Sequence, residues 1–214
     1  PAPEEPDNTN TEPGAKGYIA LTFDDGPAYG PTERILNVLR DNASKATFFM
    51  TGQFAEARTD LVARVANEGH QIGNHSYDHP DLSSLGAEGV ASQINRTQNI
   101  IYNITGKYPR LVRPIYGAVS DTLRNSAGMP LINWSVDSAD WQSRDKQAIL
   151  DRVLPSVGDG DIVLFHDLYG STADAIEVIV PELKARGYKL VTVSELFEIK
   201  GISPSPGYVY ESGR

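Results

Sequence analysis

Short apolar runs alternate with longer amphipathic ones along most of this chain, and that rhythm constrains its fold more than any other feature. The strand-like runs are YIALTF (18–23), ATFFM (46–50), HQIGN (70–74), LVR (111–113), LINWSV (131–136), DIVLFH (161–166) and KLVTV (189–193). They are rich in β-branched and aromatic residues and in places apolar on both faces, as parallel strands covered by helices are. Helical patterns fill the gaps. PTERILNVLRDN opens with Pro31, suited to a first turn, and carries Ile35, Leu36 and Leu39 along one face. DLVARVANEG closes at Gly69, and AEGVASQINRTQNIIYNITG is the longest. SRDKQAILDRVLPSVG should end or kink near Pro155. STADAIEVIVPELKARG has a capping-box-like start and a stop at Gly187, and a last helix is expected from Thr192, with Glu195 three residues on. Seven β-then-α units predict an α/β fold: a distorted or incomplete (β/α) barrel with about seven parallel strands, with a doubly wound open sheet as the alternative.

Residues 1–16, PAPEEPDNTNTEPGAK, carry almost nothing apolar and read as a disordered linker or tail. Residues 17–214 read as one domain, since no second linker or repeat follows. At 214 residues, 40% of them hydrophobic, a sizeable core can be buried. The formal net charge of -9 argues against nucleic acid and against an anionic membrane surface. No apolar run approaches the ~18–20 residues of a membrane helix. The absence of cysteine excludes disulfides and thiolate metal sites. No signal-peptide pattern is seen, and a start at Pro1 reads as a mature or trimmed form. Nothing demands more than a monomer.

The chemistry-bearing residues cluster just after expected strands. Asp24 and Asp25 follow the first, His75 and His79 the third, Arg113 and Tyr116 the fourth, Asp137, Asp140 and Trp141 the fifth, and His166 the sixth. In a parallel β/α architecture every strand C-terminus opens onto one face, so these residues should converge on one cleft. His75 and His79 stand four apart, and one helical turn would aim both at a single metal ion, although Pro80 disfavours helix at His79. A carboxylate from elsewhere could complete such a site and leave a position for water. The ordinary reading of Asp25-Gly26 is a turn, but that leaves Asp24 unexplained. Neighbours on an extended chain point opposite ways, so one carboxylate could bind a metal and the other handle a proton. His166 could be a satisfied core histidine, or Asp140 could orient and charge it. His70, beside a helix terminus, reads as structural. Tyr29, Tyr77, Tyr169 and Trp134 are candidate stacking platforms for sugar rings.

Together these residues resemble the polysaccharide deacetylase family, carbohydrate esterase family four, from about Tyr18 to Leu196. The likeness lies in five motifs in order: TFDDGP (22–27), HSYDH (75–79), RPIYG (113–117), DSADW (137–141) and LFH (164–166). Ile115 departs from the proline common in the third. The resemblance implies a distorted β/α barrel, making 17–214 a catalytic domain, and a divalent metal, usually zinc, with Co2+ or Ni2+ as substitutes. It implies Asp25, His75 and His79 as metal ligands, Asp24 as base and His166 as acid. It further implies Arg113 holding Asp24, Asp140 pairing with His166, Trp141 and Leu164 shaping an acetyl pocket, and the Tyr116 N–H facing an oxyanion.

The activity so implied is removal of N-acetyl groups from a β-linked N-acetylglucosamine polymer, peptidoglycan or chitin, at a secreted or cell-surface location. Acetyl xylan esterase is the alternative, since the family includes both. Two histidines and a carboxylate also suit a non-haem iron oxygenase, but that leaves Asp24, Asp140 and His166 without roles. A zinc-stabilised glycan-binding module is the remaining class, and complete acid and base positions weigh against it.

Overall fold

The computed structural model describes residues 14–214; the expected leader, 1–16, lies outside the described residues except for Gly14, Ala15 and Lys16. The described chain runs β1 (Gly17–Asp25), α1 (Pro31–Asp41), β2 (Thr47–Met50), α2 (Gly52–Ala57), α3 (Thr59–Asn67), β3 (Gln71–Asn74), α4 (Ala87–Thr105), α5 (Asp121–Ser126), β4 (Leu131–Ile132), β5 (Val136–Asp137), α6 (Asp140–Ser143), α7 (Lys146–Val153), β6 (Ile162–His166), α8 (Gly170–Ala185), β7 (Tyr188–Leu190), α9 (Val193–Ile199) and β8 (Val209–Tyr210). Every ladder between these strands is parallel. The main sheet is ordered β3-β2-β1-β6-β5, with β7 also on β1. Beyond β3 it continues through single bridges, Asn74–Val112 and Val112–Leu131, to the β4–β8 pair.

Residues 131–137 join the two edges. The Ile132 N–H donates to Val112 O, while the Ser135 N–H donates to Ile162 O on β6. A kinked segment, not a continuous ladder, therefore bridges the ring of strands, which gives the distorted, incomplete barrel that was expected. Two expected strands are corrected. LVR (111–113) is reduced to a bridge at Val112, and 131–136 is split into β4 and β5. The cause is the Arg113 side chain, which takes Ile132 O and Asn133 O as acceptors, so these carbonyls turn inward instead of joining a neighbouring strand.

The period of two on β1 sorts the core. Ile19, Leu21 and Phe23 belong to the outer layer with Phe48, Phe165 and the buried faces of α1 and α8. Tyr18 and Ala20 belong to the inner layer with Phe49 and Ile162, and Leu196 and Phe197 of α9 pack into it. The next residues on the inner face, Thr22 and Asp24, are polar, so the interior changes from apolar floor to reactive mouth along a single strand.

Local signals set most helix ends. Pro31 opens α1, and the Glu33 carboxylate accepts from the Gly30 N–H at 2.7 Å. Helix α9 has the Thr192/Glu195 capping box. Helix α7 stops at Val153, ahead of Pro155. The capping-box start expected for α8 is absent: the helix begins at Gly170, with Tyr169 as N-cap and no side-chain cap. Ser171 already lies inside the helix, and Asp174, three residues on, pairs with Arg34.

Candidate metal centre and acid–base cleft

Register brings the first pair together. Asp24 on β1 lies opposite His166 on β6, two residues beyond the Thr22–Leu164 pair. Parallel neighbours are about 4.8 Å apart, so a carboxylate and an imidazole from distant sequence share one cleft wall. A cavity of about 510 Å³ opens here, and among its lining residues are Asp24, Asp25, His75, His79, Tyr116 and His166. Trp134, Asp137, Trp141, Leu164 and Tyr169 complete the lining. Of the residues expected to hold the metal, move protons or bind the acetyl group, only Arg113 and Asp140 are absent from that surface, and both contact residues that line it.

Arg113 is fully buried. Its Nη1 donates to Asp24 Oδ1 at 2.8 Å and to Thr22 Oγ1 at 2.7 Å, Nε to Ile132 O and Nη2 to Asn133 O. The guanidinium carbon stands 4.2 Å from the Phe49 ring centroid. Burial pushes the Arg113 pKa down from its ordinary value, and the Asp24 charge opposes that fall. Asp24 is thereby anchored through one oxygen, and Oδ2 lies 3.8 Å from His75 Nε2.

Asp25, His75 and His79 bring one ligand atom each within 4.8 Å of one another. Asp25 Oδ1 lies 3.4 Å from His75 Nε2 and 3.1 Å from His79 Nε2. It is nonetheless a buried oxygen without an aligned hydrogen bond. Three electron-pair donors converging on a point that no donor hydrogen fills is a fit to a divalent cation. His75 Nδ1–H donates to Arg113 O at 2.9 Å, which fixes the tautomer and leaves the Nε2 lone pair facing the cluster. Burial would raise the Asp25 pKa, but His75 and His79 outweigh it and hold the carboxyl well below the usual range.

Two local expectations are corrected. The His75–His79 segment is not a helical turn: Ser76 and His79 have φ of 64°, and the rings meet edge-on at 5.3 Å. The twin carboxylates do not point opposite ways. Asp25 has φ 74°, outside the extended region, and this turns its carboxylate back into the cavity that Asp24 faces.

On the other wall Asp140 is fully buried, and its oxygens take four donors. His166 Nδ1–H and the Trp141 N–H reach Oδ1 at 2.8 and 2.7 Å, and the His166 N–H and the Thr172 hydroxyl reach Oδ2 at 2.7 Å each. His166 Nε2 is left as the free ring nitrogen. Burial alone would lower the His166 pKa, but Asp140, with Asp24 and Asp25, raises it to about 9.

Leu164 is buried beside His166, while Trp141 is half-exposed at the rim. Tyr116 lies in a turn with φ 57° and sets its ring edge-on to His79 at 5.4 Å. Of the proposed stacking platforms, Trp134 and Tyr169 line the cavity, but Tyr29 and Tyr77 do not. The Tyr77 ring is covered by Arg96 at 3.3 Å, and the Tyr29 hydroxyl donates to Asp60. His70 lies away from the cleft, as expected.

Three supporting residues escaped the sequence reading. Thr22 carries Arg113, Thr172 carries Asp140, and buried Asp167 braces the turn after Asp25. Asp167 accepts from the Gly26 N–H and the Thr32 hydroxyl, and its burial pushes the carboxyl up to about 7. Thr22 opens the TFDDGP motif and Asp167 directly follows LFH, whereas Thr172 lies six residues beyond it and gave no signal.

Such a barrel, with a two-histidine, one-carboxylate centre between two buried charge pairs, is the frame of a protein that holds a cation beside an acid–base couple. The model of the polysaccharide deacetylase family matches residues 11–129, and the chain belongs to that family. It is 44% identical over 91% of its length to the peptidoglycan-N-acetylmuramic acid deacetylase PdaC of Bacillus subtilis. It is 42% identical over 84% to the peptidoglycan-N-acetylglucosamine deacetylase PgdA of Listeria monocytogenes. It spans 42% and 38% of the length of those two relatives. The solved structure of PdaC matches with a TM-score of 0.86 at 44% identity, covering 89% of this chain and 94% of that one. A family 4 acetyl xylan esterase from Clostridium thermocellum, in complex with a cobalt ion, matches with a TM-score of 0.86 at 34% identity, covering 91% and 98%.

Proposed function

We propose that this chain hydrolyses N-acetyl groups on a β-linked N-acetylglucosamine polymer, of the peptidoglycan or chitin type, and releases acetate. The observation that carries this reading is the opening of the Asp25, His75 and His79 donors onto one cavity between an arginine-anchored Asp24 and an aspartate-charged His166. The names of the relatives, most of them peptidoglycan deacetylases, support the polymer class.

When bound by Asp25, His75 and His79, a divalent metal, by this reading zinc with Co2+ or Ni2+ as substitutes, lowers the pKa of water and polarises an acetyl carbonyl. Asp24 has one oxygen fixed by Arg113 and the other facing the ligand cluster, so it takes the water's proton as base. An amine leaves poorly unless protonated, and His166, held as imidazolium by Asp140, delivers that proton from Nε2 to the departing nitrogen. The Tyr116 N–H steadies negative charge on the acetyl oxygen. Leu164 and Trp141 form a small apolar wall for a methyl group. An alkoxide needs less help leaving than an amine, so the complete acid side favours N-acetyl over O-acetyl substrates. A xylan esterase remains the second reading, favoured by the similarity to the xylan esterase structure. We further propose that the protein works outside the cell or at its surface, where such a polymer lies, and that it does so as a monomer.

The test is acetate release from N-acetylglucosamine oligomers by chelator-stripped protein, with and without zinc, beside Asp24→Asn. Zinc is expected to restore release. Asp24→Asn is expected to lower it by about 10³-fold while still binding zinc. Release from acetylated xylan alone would favour the esterase, and no release from either substrate would leave a glycan-binding module.

A further inference from the structure

The loop that leads into His79 is gripped from two sides. On one side stands α4. Gln93 Oε1 accepts from the Tyr77 N–H at 2.8 Å and from the Asp78 N–H at 3.3 Å, and Gln93 Nε2 donates to Asp78 Oδ1 at 2.7 Å. Two backbone donors face the amide oxygen and a carboxylate faces the amide nitrogen, so a single orientation of this side chain satisfies all three. Thr97, one helical turn on and on the same face, gives its hydroxyl to Ser76 O at 2.8 Å. Ile94 O accepts from Asn74 Nδ2, and Asn74 Oδ1 in turn accepts from the Ser76 N–H. On the other side, the Gly52 and Gln53 N–H groups at the start of α2 donate to Ser76 O and Tyr77 O at 2.9 Å each.

The two histidines of the centre depend on this grip to different degrees. His75 is fixed through its ring, by the bond from Nδ1–H to Arg113 O. Among the described residues no neighbouring carbonyl anchors the His79 ring in that way, so its direction follows from its backbone. That backbone is left-handed, with φ 64° at His79 and at Ser76, a conformation that residues other than glycine keep where their surroundings impose it. The His79 N–H closes the turn on Ser76 Oγ at 3.1 Å. Between those two left-handed residues lie Tyr77 and Asp78, whose N–H groups both end on Gln93.

We infer that Gln93 is a positioning residue for the metal centre: by holding the Tyr77 and Asp78 N–H groups it sets the turn that aims His79 at Asp25 and His75, and thereby sets the affinity of the three for a divalent cation. The inference rests on Asp25, His75 and His79 holding a cation, and not on which acyl group or polymer is cut. An amide suits the place because it offers an acceptor and a donor at once. A carboxylate there would still accept the two N–H groups but would press its charge against Asp78. An alanine would leave both loop N–H groups without their acceptor.

The test is the zinc affinity of the chelator-stripped chain, measured by competition with a chromophoric chelator, with the thermal melting of the metal-free chain recorded beside it. Gln93→Ala and Gln93→Glu are each expected to weaken zinc binding by about tenfold while the metal-free chain still melts as a folded protein. Asp78→Asn alone is expected to stay within about twofold of wild type, because its amide oxygen still accepts from Gln93 Nε2. Added to Gln93→Glu, it is expected to recover most of the lost affinity, because the new amide then donates to the new carboxylate. Zinc affinity within about twofold of wild type in both Gln93 variants overturns the inference. So does a loss that Asp78→Asn fails to repair in the pair, or a metal-free Gln93→Glu chain that is already unfolded at the assay temperature, which would make Gln93 a residue of the fold alone. A wild type that binds neither zinc, Co2+ nor Ni2+ overturns it together with the metal centre. A wild type that binds zinc but releases no acetate breaks the deacetylase reading, and the zinc affinities of the variants still decide the role of Gln93.

Discussion

His70 is buried and His166 partly so, both flanking parallel strands, one just before β3 and one at the end of β6, yet their surroundings drive them in opposite directions. His70 Nδ1 accepts from the Ala46 N–H, and its ring meets the Phe48 edge at 5.6 Å. Burial, with Lys45 nearby, pushes its pKa down to about 4. His166 is more open to the cavity, and its Nδ1–H meets a carboxylate that three further donors hold in place, so that its pKa rises to about 9. Burial alone yields a neutral packing group. A buried carboxylate with its own donors yields an acid that is charged at neutral pH.

The comparison is broken most strongly at Asp140. Asp140→Asn leaves His166 with burial and only the charges of Asp24 and Asp25 to offset it, which should move it toward the state of His70. Acetate release is expected to drop by about 10²–10³-fold. In the proposed mechanism His166 acts in its protonated form, so the alkaline limb of the pH–rate profile should move to lower pH, and an unmoved limb would assign it to another group.

A smaller effect is expected at the other end of the barrel. Below about pH 6.5 the unfolded chain protonates His70 while the folded chain resists until about pH 4. Stability should therefore fall as pH drops through that window and level off beneath it, by roughly 3 kcal/mol. Asp167, raised to about 7, has the reverse sign, losing its stabilising contribution as pH climbs from 3.8 toward 7. The His70 contribution is thus read as the difference between wild type and His70→Gln in urea titrations across this range. Equal slopes in the two proteins would remove His70 from the account.

The smallest effect sharpens the contrast. Thr172→Val deletes one of the four donors on Asp140 and should cost about 1 kcal/mol of transition-state stabilisation, a drop in kcat of about fivefold. It should also lower the alkaline pKa slightly, whereas a change in melting temperature with no kinetic change would mark Thr172 as a packing residue.

The alternation of apolar runs was enough to read the parallel barrel, because strand hydrophobicity and helix periodicity are local. The convergence of Asp24, Asp25, His75, His79 and His166 was legible for a related reason: each follows a strand, and parallel strands share an end. What escaped reading was set by partners far away in the chain. LVR lost its ladder because the Arg113 side chain took the carbonyls of the facing segment. The α8 cap was misread because the helix already begins at Gly170, and Asp174, three residues after Ser171, pairs with Arg34. The direction of Asp25 depends on a positive φ that Asp tolerates but does not announce. Helix α2 and strand β8 are too short to stand out from their flanks.

The guanidinium of Arg113 also closes a seam. Where no ladder runs between the edges of the sheet, this side chain ties Thr22 and Asp24 on β1 to the backbone at Ile132 and Asn133. Reactivity and barrel closure thus hang from one fastener. A change of trade in such a chain, toward another acyl group or another sugar, is open at the rim around Trp141 and Tyr169, which take no part in this tie. At Arg113 the barrel would come undone before a new chemistry could be tried.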